Sequence, residues 1–90
     1  MKKGNEKLTF GKLIVRLRRT KGLTQEELAF RSNLSTRAMV SIEKDEYYPG
    51  LEAFTRIAKK LDMKPSEIFK IIEDNGLLAD WEKGTNDDHH

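Results

Sequence analysis

Apolar residues recur along this chain at helical spacing, with no sustained strand-like alternation. Phe10, Leu13, Ile14 and Leu17 stand at i, i+3, i+4 and i+7, which predicts a first helix beginning near Thr9. Arg16, Arg18, Arg19 and Lys21 fall in its last turns, where cations suit the negative dipole end, and Gly22 stops it. Thr24-Gln25-Glu26-Glu27 reads as a capping box: the Thr24 hydroxyl accepts the Glu27 N–H, and the Glu27 carboxylate reaches back to the Thr24 N–H. The second helix is short, with Leu28 and Ala29 inward before Ser32-Asn33 interrupts the pattern. Ser35 is the expected N-cap of a third helix, which turns Ala38, Met39 and Ile42 inward and ends around Lys44. Residues 45–50 are a loop, because Pro49 disfavours helix at Tyr48 and Gly50 punctuates the chain. Phe54, Ile57, Ala58 and Leu61 repeat the stripe in a fourth helix, and Pro65 opens a fifth over 65–73. Ile68, Phe69, Ile71 and Ile72 cover more than one stripe of that last helix, so it is buried on two sides or turned toward a partner. The expected class is all-α.

Ninety residues supply one modest core and not two. The expected organisation is a flexible basic lead over 1–8, a folded domain over 9–73, and a C-terminal extension over 74–90, apolar at 77–81 and then disordered. With no cysteine, neither disulfides nor thiolate–metal bonds hold the fold, which suits a reducing compartment. No apolar run approaches the roughly 20 residues of a membrane span, and the Lys-rich start is followed by polar residues, unlike a secretion signal. A soluble, cytoplasmic chain with no membrane partner is expected. The net charge of +2 says little, but its distribution is uneven. Residues 1–44 carry eleven Lys and Arg against four Glu, and residues 45–90 carry six against eleven Asp and Glu. A basic half attracts a polyphosphate irrespective of sequence, and an acidic half points away from it.

The segment Leu23-Thr24-Gln25-Glu26-Glu27-Leu28-Ala29, followed by Asn33-Leu34-Ser35, Met39-Val40-Ser41-Ile42-Glu43 and Pro49, resembles the Xre-type family of phage repressors and Cro proteins. The similarity runs from about Phe10 to Ile72. It implies a compact five-helix bundle of the lambda-repressor-like kind, containing a helix-turn-helix, in a cytoplasmic regulator encoded by a bacterium or phage. The implied partner is double-stranded DNA, as a palindromic operator met by a homodimer. The helix at about 36–44 is the implied reader of the major groove, with Thr36, Arg37, Val40, Ser41 and Lys44 at the base-facing positions. Arg37 has the most discriminating chemistry, because a guanidinium bonds both O6 and N7 of guanine. Thr36 and Ser41 offer hydroxyls, and Val40 suits a thymine methyl.

Gln25 is implied to touch a phosphate and brace the reading helix, with Thr24 and Arg19 beside it. Lys12, Arg16 and Lys21 add charge or are merely solvated. Tyr47 and Tyr48 read equally as phenolic donors to phosphate and as packing under the loop. Arg18 and Glu43 are implied to form an ion pair tying the first helix to the end of the third. One stretch departs from the family pattern: Asp45 and Glu46 stand where many members have Gly and a basic residue. Asp tolerates the left-handed turn, but carboxylates beside a phosphate track repel it, so Lys44, Tyr47 and Tyr48 must offset them or the loop must tilt away.

Two other classes compete with this reading. An enzyme lacks parts, since the chain has no Gly-rich phosphate loop, no Cys nucleophile and no Ser-His-Asp set. Its histidines, His89 and His90, follow Asp87-Asp88 at the very end, as an adventitious metal binder or a tag remnant would. No cofactor and no metal are expected. A protein-interaction module, such as an antitoxin or co-regulator on the same fold, has more support. Ile68, Ile71, Ile72, Leu77, Leu78 and Trp81 form a candidate dimer or partner surface, unless Leu77 and Trp81 fold back over the bundle.

Overall fold

Five α-helices follow one another in the computed structural model, which describes residues 7–77: α1 Phe10–Thr20, α2 Gln25–Arg31, α3 Thr36–Glu43, α4 Leu51–Lys60 and α5 Pro65–Asp74. Among the described residues there is no strand, and no helix is long and apolar enough to cross a membrane.

The starts follow from side-chain chemistry. Thr9 accepts the Lys12 N–H at 3.1 Å, Thr24 and Glu27 form the reciprocal capping box, and Ser35 accepts the Ala38 N–H at 3.0 Å. Pro65 occupies the first turn of α5, where the Glu67 carboxylate accepts the Lys64 N–H at 2.8 Å. The ends share one geometry. Gly22, Asn33, Asp45, Asp62 and Gly76, each just past a helix, have φ between 59° and 75°. After the first four of these, the next residue bonds back to the carbonyl five positions earlier: Leu23 to Arg18, Leu34 to Ala29, Glu46 to Ser41 and Met63 to Ala58. These are Schellman closures, and Leu23, Leu34 and Met63 complete them by packing against the core.

That core gathers Phe10, Leu13 and Ile14 from α1, Leu28 and Ala29 from α2, and Met39 and Ile42 from α3, with Ile57, Ala58, Leu61, Ile68, Ile72 and Leu77 from the second half. Helix α3 packs on α1 and α2, and α4 on α2 and α5. Arg56 joins α4 to the helix pair by donating its Nε to the Ser32 carbonyl at 2.7 Å. Leu8, assigned above to the lead, packs against the core.

The expected C-terminal apolar surface requires correction. Ile68, Ile72 and Leu77 are at most 3% exposed and belong to the monomer's own core. One face of α5 and the turn after it close the bundle. What α5 leaves outside is Phe69, 46% exposed, and the half-buried Ile71. Leu78 and Trp81, the lead over 1–6 and the histidine pair lie outside the described residues.

Candidate nucleic-acid interface

The placement of α3 is fixed mainly at its C-terminal end. Glu43, its last residue, is buried and accepts Arg18 Nε at 2.7 Å and Arg18 Nη2 at 3.0 Å, a bidentate pair that joins α3 to α1. Arg18 also donates Nη1 to the Leu23 carbonyl at 3.0 Å, so the turn before α2 is held by the same guanidinium. Gln25, the first residue of α2, donates Nε2 to Glu43 Oε1 at 2.8 Å. One carboxylate therefore gathers all three helices.

The opposite end of α1 meets α3 as well. A Cβ on Gly11 would lie 2.5 Å from the Glu43 carbonyl oxygen and 2.7 Å from that of Ile42, so the two backbones touch where only glycine fits. Asp45, at φ 63°, accepts the Thr9 hydroxyl at 2.6 Å and the Gly11 N–H at 2.8 Å. Of the two ways open to the carboxylates, offset by neighbours or turned aside, Asp45 takes the second: its side chain points into the protein, at the positive end of α1. Glu46 stays exposed.

With the inner face of α3 pinned, the outer one is open. Thr36, Arg37 and Lys44 are exposed, and Val40 and Ser41 are half-buried. Arg19, Thr24, Gln25 and Lys44, with the Arg18–Glu43 pair, line a concave cleft where the end of α1, the start of α2 and the end of α3 meet. The Thr24 hydroxyl accepts the Glu27 N–H at 3.0 Å, and Gln25 is half-buried. Tyr48 meets Phe10 edge-on at a centroid distance of 5.7 Å, yet remains 51% exposed, and Tyr47 is 47% exposed. The first of these therefore packs and still shows part of its ring to solvent. Lys21 is paired with Asp62, Lys12 reaches the Lys7 carbonyl at 3.4 Å, and Arg16 is exposed.

Among the described residues, the Glu27 and Asp62 carboxyls titrate below their ordinary range. The backbone N–H of Thr24 holds Glu27 down, aided by the Thr24 hydroxyl and Arg31, and the Lys21 ammonium holds Asp62 down. No group of His, Cys, Asp and Glu among the described residues is arranged to hold a metal ion.

Gly11, the grip of Asp45 on α1 and the Arg56–Ser32 bond are contacts that sequence reading missed. The one available signal was the replacement of a turn glycine by Asp45, whose side chain adds acceptors that glycine lacks.

Two short helices in tight succession, the second held outward by its neighbours, define the helix-turn-helix class of DNA-binding architecture. The helix-turn-helix family profile matches residues 14–68. An uncharacterised helix-turn-helix transcriptional regulator of Methanothermobacter thermautotrophicus is 38% identical over 64 residues, covering 71% of this chain and 93% of the relative. The immunity repressor of Bacillus phage phi105 is 36% identical over 61 residues, which span 68% of this chain and 42% of the longer phage protein. Among solved structures, the restriction-modification controller protein C.AhdI of Aeromonas hydrophila matches with a TM-score of 0.63 and 36% identity, over 66% of this chain and 89% of that one. The chain belongs to the helix-turn-helix family.

Proposed function

We propose that this chain is a DNA-binding transcriptional regulator, not an enzyme, and that it reads the major groove of double-stranded DNA with α3. The carrying observation is the division of α3 into an anchored inner face and an open outer one bearing Thr36, Arg37, Val40, Ser41 and Lys44. A helix about 10–12 Å across fits a groove about 12 Å wide, so those side chains reach base edges. Arg37 supplies guanine recognition worth about 1–3 kcal/mol over a wrong base. Thr24, Gln25 and Arg19, in the cleft beside α3, engage phosphates, and Tyr47 and Tyr48 do so from the loop.

The family and the named regulators among its relatives support this reading. A homodimer on a palindromic operator completes it, with half-sites about 34 Å apart and the exposed Phe69 and half-buried Ile71 of α5 near the pairing face. Its place of action is the cytoplasm, where the DNA is.

Fluorescence anisotropy with labelled duplexes at graded salt tests the proposal. Affinity should fall steeply with salt, by about 0.9 log units per log unit of salt for each phosphate engaged. Arg19→Ala should weaken all duplexes alike. Absence of binding to any duplex at low salt would transfer the fold to the protein-interaction class.

A further inference from the structure

We infer that Asp45 is a positioning residue for the reading helix, a second latch that sets the angle of α3 and thereby its sequence preference. The inference rests on the DNA-reading role of α3 proposed above. Glu43 and Asp45 stand two residues apart at the end of α3 and hold opposite ends of α1: Glu43 takes Arg18, near its C-terminus, and Asp45 takes Thr9 and Gly11 at its N-terminus. Gly11 and Arg18 stand seven positions apart, roughly 10 Å along the axis of α1. The Arg18–Glu43 pair is one point of attachment; the bonds of Asp45 to Thr9 and Gly11 add a second, at the other end of α1, and so remove a rotation that a single attachment leaves open.

Three features make Asp45 suited to this. Its backbone already occupies the left-handed turn that closes α3, so its side chain leaves from a fixed place. Both carboxylate oxygens are engaged, at 2.6 and 2.8 Å, the length of charge-assisted bonds. The first turn of α1 lies against the carbonyls of Ile42 and Glu43, so any slackening of the latch is felt directly by the last turn of α3. A glycine here would close the turn equally well and leave the N-terminus of α1 without this anion.

The charge of Asp45 allows a decisive test. If it acted only as a negative charge near DNA, its removal would strengthen binding to every duplex. As a latch, its removal weakens binding to the preferred duplex alone. The full-length chain and its Asp45→Gly, Asp45→Asn and Thr9→Ala variants are titrated well below their melting temperatures against two duplexes. One is selected from a random pool by the unmodified chain, and the other is a scrambled duplex of the same composition. Asp45→Gly should lose about tenfold for the selected duplex, equivalent to about 1.4 kcal/mol, and less than about twofold for the scrambled one. Thr9→Ala should fall between, and Asp45→Asn, which keeps an acceptor oxygen and tolerates the turn, should recover most of the loss.

Equal or tighter binding of both duplexes by Asp45→Gly overturns the latch. A second readout is the Gly11 amide, which should exchange slowly with solvent in the unmodified chain and fast in Asp45→Gly, with altered α3 amide shifts. Unaltered α3 shifts in that variant also overturn the latch. If the unmodified chain shows no preference among duplexes, the reading role of α3 fails, and the amide data still decide whether Asp45 orients it.

Discussion

Gln25 donates its side-chain amide to Glu43 at 2.8 Å, tying the first residue of α2 to the last residue of α3. Because the same carboxylate is chelated by Arg18, the angle between the two helices of the motif is referred to α1 and not left to the turn over 32–35 alone. The cleft that holds this network also carries Arg19 and Lys44. A phosphate seated there would therefore sit beside the group that orients α3, and such a contact would hold base readout in register.

Removing one partner of the Arg18–Glu43 pair strands the other. Both side chains are at most 10% exposed, so Arg18→Ala should lower unfolding free energy by about 3–5 kcal/mol, a large share of what a small domain possesses. Urea denaturation checks this. The paired replacement Arg18→Met with Glu43→Leu should regain most of the loss, because no buried charge is left alone.

Gly11→Ala sets a methyl against two backbone carbonyls that no rotamer change can move aside. The helices must part, at a cost of about 1–3 kcal/mol. A thermal melt should show the drop despite the higher helix propensity of alanine. A melting temperature equal to that of the unmodified chain would mean that α1 and α3 do not touch there.

Asn33 ends α2 at φ 59° with its side chain exposed. Asn33→Gly should relieve left-handed strain and stabilise the fold by about 0.5–1 kcal/mol. Asp45→Gly removes strain of the same kind yet should destabilise, because it also deletes the bonds to Thr9 and Gly11. The two variants, matched in backbone, should therefore move the denaturation midpoint in opposite directions.

The capping box makes the start of α2 acid-sensitive. Glu27 titrates below its ordinary range because the Thr24 N–H bonds its ionised form. Its contribution is full above the unfolded-state value of about 4.3 and is lost as pH falls through the lower folded value. The Glu27→Gln variant should show a shallower loss of stability over that acid range, and the two chains should converge below it.

The helices and their starts were legible in the sequence because caps and apolar stripes are local signals. Thr24-Glu27, Ser35 and Pro65 announce themselves within four residues. Three helix ends were less legible, since Asn33, Asp45 and Asp62 perform a turn more often given to glycine. The burial of Ile68, Ile72 and Leu77 was ambiguous because a broad apolar face looks the same whether the chain or a partner covers it. At the interface, the outward set Thr36, Arg37, Val40, Ser41 and Lys44 follows from the inward set by helical geometry. The grip of Asp45 on Thr9 and Gly11 joins residues more than thirty positions apart, and neither periodicity nor propensity carries such a distance.

The central claim is that α3 reads bases with Arg37 foremost. Selecting duplexes from one random pool with the unmodified chain and with Arg37→Ala tests it most directly. The account predicts a guanine preference in each half-site that vanishes in the variant while the rest of the consensus persists. The same consensus from both proteins, with that guanine intact, would contradict it.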